Sequence, residues 1–404
     1  MKITDVKTVL LTGPCTEDPY LSKARKRRSA AFIEIHTDTE LVGLGETYAG
    51  YFCPEIVPEI VAFFRPILLG RSADDVDDLW SRMSFCGSFW CRVGLGAIVL
   101  SGIEAALWDL KGKSLGEPVV TLLGGRRHDE ILGYATGGPS NYPKPELAGK
   151  VDYYLSLGFK AFKLGAGCLS DEAGDYMPLS PVEAADFEAD KLEFIRSQVG
   201  ADVAIMLDGH MGNNPAGTWN LDTAKAVMQA VAPYDPLFFE EPLPYTDPAG
   251  YRALRESCDV PIAGGECLTS AGEWRVFLED DAFDIGQPDA SFAGGLSEFM
   301  RIASMLEARG HALATHAWGA AGSLMQNVHC GFACPNTVIL EIPPAYGPLH
   351  REIMGDAFVM REGMVLPPDR PGLGIELTEA TKKRHPFVRG SGEFNSVPGK
   401  VLVD

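Results

Sequence analysis

Six apolar segments in the second half of the chain each end on an acidic residue or a histidine. Their last residues, separated by 23 to 32 positions, are Asp208, Glu240, Glu266, Asp289, His316 and Glu341. That interval is the combined length of a strand, a helix and two short connections, which is the repeat of a βα barrel. Because all strands of such a barrel run parallel, their C-terminal ends meet at one mouth. The pattern therefore predicts a single polar site at a barrel mouth, as in an enzyme.

The first third of the chain follows a different pattern. Strands are predicted over 1–12, 30–37 and 42–48, and helices over about 55–67, 74–84 and 93–114. Strands followed by helices in one block indicate an α+β domain separate from the barrel. The barrel is expected to begin near Ile131 and to continue with a strand over 159–164. Helices are expected between the later strands, over 183–198, 221–231 and 296–309.

These patterns divide the chain into three parts. We predict an N-terminal α+β domain over 1–128, a (β/α) barrel over 129–355, and a C-terminal segment over 356–404 that returns to the N-terminal domain. A length of 404 residues suits a barrel of about 250 residues and a second domain.

Charge and cysteine content narrow the functional classes. The net charge of −20 argues against nucleic-acid or anionic-membrane partners. The nine cysteines are scattered and include no CxxC pair, so we expect neither a zinc knuckle nor a disulfide framework. A reducing cytoplasm is the expected location, since the N-terminus lacks the apolar core of a signal peptide and no segment reaches membrane-spanning length.

Asp208, Glu240 and Glu266 are the candidate metal ligands. Three converging carboxylates need a compensating charge, and all-oxygen ligation favours Mg²⁺ over zinc or copper. Because Glu240 is followed by Glu241, the ligand is ambiguous by one residue. Strand alternation places the two on opposite faces, so only one of them is expected to point at the metal.

Asp289 and His316 end the next two strands and form a candidate catalytic pair. A carboxylate beside an imidazole fixes its tautomer, raises its basicity and leaves one nitrogen free to move a proton. Glu341 would lie next along the rim, where it could hydrogen-bond an oxyanion if protonated.

Two further residues are candidates for proton transfer. His210 follows Asp208 by two positions, on the same strand face if the strand continues, and could act as a second proton donor; the alternative is a polar loop residue. Lys163, at the end of the second barrel strand, could neutralise a substrate carboxylate or move a proton; the alternative is a solvated lysine.

Aromatic and basic residues supply weaker candidates for substrate binding. Tyr20, Tyr48 and Trp318 could line the pocket or only pack near it. The basic run over 23–28, which includes Arg25, is interpreted either as a surface loop or as a lid whose cations meet an anionic substrate. Gly294–Gly295 could cradle a phosphate, but tight packing is the preferred interpretation.

Several motifs resemble the enolase superfamily, mandelate racemase subgroup. They are SGIEAALWDLKGKSLGEPVVTLLGG (101–125), GFKAFKLGAG (158–167), FFEEP, AGGE and QPDA. The resemblance covers nearly the whole chain and implies a capping domain over a modified (β/α)8 TIM-type barrel, one essential Mg²⁺ and a homo-oligomer. It implies metal ligation by Asp208, Glu240 and Glu266, a general-base dyad of Asp289 and His316, and Glu341 facing the substrate carboxylate.

One departure from the resemblance bears on the reaction. Many members carry Lys-x-Lys at the end of the second strand, whereas this chain reads Lys163-Leu164-Gly165. The position of the second base is glycine, so a two-base racemase of the usual kind is not expected. His210 resembles instead the Asp-x-His arrangement of acid-sugar dehydratases, in which the histidine helps expel a β-hydroxyl.

The resemblance thus implies a dehydratase of an aldonate or aldarate. Removal of the proton α to the carboxylate gives an enediolate, and loss of the β-hydroxyl gives a 2-keto-3-deoxy acid. Two alternatives stay open: a sugar-acid epimerase, racemase or lactone cycloisomerase, and a non-catalytic binding or structural barrel. The last predicts erosion of the polar strand ends, which are all present here.

Overall fold

The computed structural model describes residues 1–21, 26–137, 143–167, 178–212, 218–344 and 346–391. Arg25, a candidate for substrate binding, lies outside these ranges. The chain forms a capping domain and a closed parallel barrel, which confirms the predicted fold class. The exact domain boundaries stay a prediction.

The capping domain begins with an antiparallel sheet in the order β1-β2-β3. The strands are β1 (Ile3–Pro14), β2 (Arg27–Thr37) and β3 (Val42–Thr47). The helices that follow are α1 (Ala49–Phe52), α2 (Val57–Leu68), α3 (Val76–Cys86), α4 (Leu95–Leu115) and α5 (Val119–Leu122). The three predicted strands and three predicted helices are confirmed to within a few residues.

Helix α4 packs closely against β3 because β3 carries two glycines. A Cβ atom at Gly43 would lie 2.1 Å from the carbonyl oxygen of Ala106, and one at Gly45 would lie 2.3 Å from that of Gly102. Any larger residue would therefore push the helix off the sheet. The helix ends at Gly116, whose φ of 71° is the left-handed conformation common after helices.

Eight parallel strands close the barrel, because β11 pairs with β4. They are β4 (Ile131–Ala135), β5 (Ala161–Gly165), β6 (Ala204–Asp208), β7 (Phe239–Glu240), β8 (Ile262–Gly264), β9 (Ile285–Gly286), β10 (Ala312–Ala314) and β11 (Thr337–Ile342). The intervening helices are α6 (Lys144–Ser156), α7 (Pro181–Val199), α8 (Leu221–Val231), α9 (Pro248–Arg255), α10 (Ala271–Glu279), α11 (Leu296–Glu307) and α12 (Ala321–Ala333).

A small apolar cluster fills the barrel interior. It includes Tyr134, Met206, Phe238 and Ile339, all fully buried. The polar residues of the site lie at or just beyond the C-terminal ends of the strands. Glu266 and Asp289 lie in the loops after β8 and β9 rather than on the strands themselves.

The C-terminal segment joins both parts of the molecule. Helix α13 (Pro348–Met354) precedes this segment, which contains β12 (Met360–Arg361), β13 (Met364–Val365) and α14 (Glu379–Arg384). Strand β13 pairs antiparallel with β4. The chain then returns to the capping domain, where Lys382 forms an ion pair of 2.7 Å with Glu34 and the N–H of Thr12 donates to the carbonyl of His385. Among the described helices, none combines the length and apolarity needed to cross a membrane.

Candidate active site

Lys163 lies at the centre of the site, on β5. Its ammonium is 2.6 Å from Glu240 Oε2, 2.9 Å from Asp208 Oδ2 and 3.3 Å from Glu341 Oε1. Burial alone lowers the pKa of Lys163, but the three carboxylates raise it well above its ordinary value. A lysine that stays protonated, with its three N–H donors directed at carboxylates, is placed to balance their charge. Its predicted roles, neutralising a substrate carboxylate or moving a proton, stay predictions.

Glu240 and Glu241 both belong to this centre. Glu240 Oε2 also accepts a hydrogen bond of 2.7 Å from Gln287. Strand β7 ends at Glu240, and Glu241 has a φ of 40°, so the alternation of an extended strand stops there. Burial, followed by the charge of Glu266, raises the pKa of Glu241 to about 8. The expectation that only one of the two glutamates points at the metal stays a prediction.

His210 also has a left-handed backbone, with a φ of 45°. Its Nδ1 lies 2.7 Å from Asp208 Oδ1 and its Nε2 lies 3.6 Å from Glu266 Oε1. Burial lowers the pKa of His210, but Asp208, Glu266 and Glu241 raise it above the ordinary value. The side chain is 40% exposed, so an imidazolium here can be reached by a ligand.

His316 and Asp289 form the predicted pair. His316 Nδ1 lies 2.9 Å from Asp289 Oδ2, and the other carboxylate oxygen of Asp289 accepts hydrogen bonds from Ser291 and Asn327. These bonds fix the carboxylate, which in turn directs His316 Nε2 toward Glu266. That nitrogen is 3.4 Å from Glu266 Oε2. Burial lowers the pKa of His316, while Glu266, Glu341 and Asp289 raise it to about 10.

Glu341 lies between Lys163 and His316. Its Oε2 accepts a hydrogen bond of 2.6 Å from the N–H of Ala317 and is 4.0 Å from His316 Nε2. Burial raises the pKa of Glu341, but Lys163, His316 and the Ala317 N–H lower it below its ordinary value overall. The role of Glu341 as a hydrogen-bond donor to an oxyanion stays a prediction.

The capping domain covers the His316 side of the site. The ring of Tyr48 lies 5.5 Å from that of His316, and Trp318 donates a hydrogen bond of 2.9 Å to the hydroxyl of Tyr51. Arg28, assigned from sequence to the basic loop, lies instead in β2 and is 2% exposed. It donates to the carbonyls of Trp318 and Gly319. Pairing of β1 with β2 as far as Pro14 and Arg27 explains this correction, because it shortens the loop.

Tyr20 and Gly294–Gly295 lie away from the described contacts of the site. Tyr20 is half-buried against α6, with its ring 6.2 Å from that of Tyr153. Its substrate role, like that of Arg25, stays a prediction. Gly294–Gly295 precedes α11, where the buried carboxylate of Glu104 accepts hydrogen bonds from the N–H groups of Leu296 and Ser297. The side chain of Glu104 thus occupies the N-terminus of α11, where a phosphate would otherwise bind.

The carboxylates suit a hard divalent cation. Asp208 and Glu240 are buried, and the side chain of Glu266 is 11% exposed. One oxygen of Glu240 and both oxygens of Glu241 are buried without a hydrogen-bond partner among the described residues. Unpartnered buried carboxylate oxygens are unfavourable, and a cation with all-oxygen ligation removes that cost. The donor set therefore fits Mg²⁺.

Comparisons with known proteins agree with this architecture. A family model described as "Mandelate racemase / muconate lactonizing enzyme, N-terminal domain" matches residues 15–124, and one described as "Enolase C-terminal domain-like" matches residues 146–381. The chain is 31% identical over 350 residues to arabinonate dehydratase of Saccharolobus solfataricus, covering 86% of this chain and 87% of the relative. It is 33% identical over 354 residues to D-galactonate dehydratase of Pectobacterium atrosepticum, with coverages of 86% and 88%.

A solved structure supports the same assignment. The 3,6-anhydro-D-galactonate cycloisomerase of Zobellia galactanivorans superposes with a TM-score of 0.81 at 27% identity, covering 95% of this chain and 99% of that one. The family relationship is established by the matches to both domain models and by relatives above 30% identity over most of their length. The chain belongs to the mandelate racemase / muconate lactonizing enzyme family of the enolase superfamily.

Proposed function

We propose that this protein is a Mg²⁺-dependent dehydratase of a sugar acid, an aldonate or an aldarate. The observation that carries the proposal is the position of the two imidazoles. His316 Nε2 and His210 Nε2 approach different oxygens of Glu266, at 3.4 Å and 3.6 Å. A substrate bound beside that carboxylate meets one group that can remove a proton and a second that can deliver one.

His316 is the proposed base. Asp289 holds its Nδ1, so Nε2 is the nitrogen that takes the proton from C2, the carbon next to the substrate carboxylate. This proton is only weakly acidic, so most of the catalysis must come from stabilising the resulting enediolate. Mg²⁺, held by Asp208, Glu240 and Glu266, would supply that positive charge and offset the carboxylates that raise the pKa of His316.

His210 is the proposed acid. Its charged form is favoured by Asp208, and it is the more exposed of the two histidines. It donates a proton to the C3 hydroxyl as the C3–O bond breaks, and water leaves. The electron pair from the C2–H bond forms the C2–C3 double bond, and tautomerisation of the enol gives the 2-keto-3-deoxy acid. Relatives named arabinonate dehydratase and D-galactonate dehydratase support this class of substrate.

A cycloisomerase is the second candidate, because the neighbouring solved structure of that name aligns over 95% of this chain. That reaction conserves the mass of the substrate, whereas dehydration removes one water. Gly165 offers no side chain where a second lysine base would stand, and this argues against a racemase of the two-base kind.

A panel of aldonic and aldaric acids, including D-galactonate and D-arabinonate, tests the proposal. Each acid is incubated with the protein and Mg²⁺, and with an EDTA-treated control, and products are followed by mass spectrometry. We expect metal-dependent loss of one water from a few related acids. A product of unchanged mass would favour the cycloisomerase, and binding without turnover of any acid in the panel would contradict both.

A further inference from the structure

Four aromatic side chains are exposed together on the capping domain. Phe85, in the last turn of α3, is 80% exposed, and Phe89, in the turns that follow, is 97% exposed. The N–H of Ser88 donates to the carbonyl of Phe85, which keeps these turns compact. Phe63 on α2 and Trp90 are each 45% exposed, and their rings pack edge to face with centroids 5.0 Å apart. We call these four side chains the aromatic face.

The aromatic face is large enough to form the core of a stable protein interface. With about 200 Å² of surface for each aromatic side chain, the exposed fractions amount to roughly 500 Å². A standard interface buries about 800 Å² on each partner, of which about 60% is apolar. The face therefore matches the apolar area that one partner contributes to such an interface. Exposed apolar surface of this extent is typical of a binding site.

Two charged residues beside the aromatic face favour a second copy of the chain as the partner. Glu59 lies one helical turn before Phe63, Arg92 follows Trp90 by two positions, and both are exposed. Neither belongs to the ion pairs found among the described residues. In a two-fold interface both copies use the same surface, so Glu59 of one protomer can meet Arg92 of its partner.

The local charge also suits self-association. The chain carries a net charge of −20, so two copies repel each other over most approaches. Between Met83 and Leu100, however, Arg92 is the only charged residue. Two copies that meet through the aromatic face therefore bring little like charge together.

We propose that the aromatic face is a two-fold interface between copies of this chain, with the aromatic side chains at its core and Glu59–Arg92 ion pairs at its rim. An aromatic core with a charged rim is the usual arrangement of a specific interface. The family resemblance implies a homo-oligomer but assigns no surface to it. The proposal does not depend on the sugar-acid reaction.

Sedimentation velocity of the full chain over a range of concentrations tests the proposal. We expect the wild type to sediment with the mass of at least two chains. The double variant Phe85→Ser/Phe89→Ser should raise the dissociation constant for self-association by at least about tenfold. Because both side chains are exposed in the single chain, the variant should fold, which circular dichroism checks.

Leu115→Ser is the matched control. Leu115 is 58% exposed and lies in the same domain, at the opposite end of α4 and about 30 Å along the helix from Leu95. Its replacement should leave self-association unchanged.

Charge reversal tests the two-fold arrangement. Glu59→Arg and Arg92→Glu each place like charges opposite one another, so each should weaken self-association by about tenfold. The double variant exchanges the two charges and should restore it. A double variant no better than the single ones would overturn the two-fold pairing.

Two further results would overturn the interface itself. One is a wild-type protein that sediments as a single chain at every concentration, which would leave the aromatic face for a partner of another kind. The other is unchanged self-association in folded Phe85→Ser/Phe89→Ser. Neither readout uses turnover, so failure of the interface and failure of the dehydratase proposal are distinguishable.

Discussion

Lys163 illustrates what a single residue in the site does. The sequence located it at a strand end, but its partners come from three other strands and no local pattern identifies them. Its ammonium contacts Asp208, Glu240 and Glu341 and so balances part of a buried negative charge. Lys163 thus acts as a counter-ion within the protein, for carboxylates whose negative charge a metal ion would also balance.

Replacing Lys163 by methionine tests this role. The variant leaves several carboxylates uncompensated, so without Mg²⁺ we expect its free energy of unfolding to fall by about 3–5 kcal/mol. Added Mg²⁺ should raise its melting temperature more than it raises that of the wild type, because the cation replaces the lost charge. Differential scanning calorimetry with and without Mg²⁺ measures both effects.

Lys191→Met provides the matched control. Lys191 is also buried, but its ammonium lies 2.6 Å from Glu188 and donates to the carbonyl of Gly165. It should destabilise the protein without enlarging the Mg²⁺ response. Equal Mg²⁺ responses in Lys163→Met and the wild type would contradict the counter-ion role.

Residue identity at the strand ends was predictable, but backbone conformation there was not. The candidates Asp208, Glu240, Asp289 and His316 follow from the rule that parallel strands end at one mouth. The backbone conformation of Glu241 was not predicted, because its positive φ cannot be read from the sequence around it. Arg28 was misassigned because its burial depends on the sheet register and on carbonyls about 290 residues further along the chain.

At the scale of elements, two buried carboxylates of the capping domain hold barrel helices. Glu46, on β3, accepts hydrogen bonds from Ala320 and Ser323 at the start of α12. Glu104, on α4, does the same for Leu296 and Ser297 at the start of α11. Neither helix has a side-chain cap of its own, so the capping domain satisfies N–H groups that local sequence leaves open. Sequence predicted the elements but not these long-range caps.

Glu46→Ala should therefore destabilise the junction between the two domains. Two N–H groups at the start of α12 lose their acceptor, and we expect the free energy of unfolding to fall by about 2–4 kcal/mol. Urea denaturation measures the change, and hydrogen exchange should show faster exchange at Ala320 and Ser323. Glu40→Ala, at an exposed turn residue of the same domain, is the control and should change stability little. Unchanged exchange at α12 in Glu46→Ala would argue against the capping role.

For the whole molecule, the repeat spacing was sufficient to predict the barrel, and the block of strands followed by helices was sufficient to predict a separate α+β domain. That this domain caps the barrel was implied by the family resemblance. The C-terminal hairpin of β12 and β13 was not predicted, because its two-residue strands carry no recognisable periodicity.

Buried titratable groups affect the stability of the whole molecule. Burial lowers the pKa of His329 to about 3, and the same cause lowers that of His350 to about 3.

These histidines predict loss of stability in acid. Each is neutral in the folded protein and gains a proton on unfolding below its ordinary pKa of 6.5. The contribution of these neutral histidines to the free energy of unfolding is therefore complete above pH 6.5. It falls as the pH drops toward 3, by about 1.4 kcal/mol per histidine per pH unit. Burial raises the pKa values of Glu46 and Glu104 to about 7. These two groups therefore make the free energy of unfolding fall as the pH rises from about 4.5 to 7, which is opposite to the effect of the histidines.

A substitution at His329 isolates the contribution of this histidine to the pH dependence of stability. His329→Asn keeps an acceptor for the Val120 N–H but cannot take up a proton. We expect the difference in unfolding free energy between wild type and variant to shrink by about 1.4 kcal/mol per unit as the pH falls from 6.5 to 4.5. Urea midpoints over that range measure it. A difference independent of pH would show that His329 is not held neutral by the fold.

Proton NMR in D₂O tests the central claim most directly, using the acid that the substrate panel identifies. With wild-type protein and Mg²⁺, we expect the C2 proton signal to disappear as the 2-keto-3-deoxy acid forms. His316→Asn should lose product formation and C2 exchange together, by roughly 10²–10⁴-fold. His210→Asn should still exchange deuterium into C2 but lose elimination by a similar factor. C2 exchange that persists in His316→Asn, or wild-type elimination by His210→Asn, would contradict the division of labour between the two histidines.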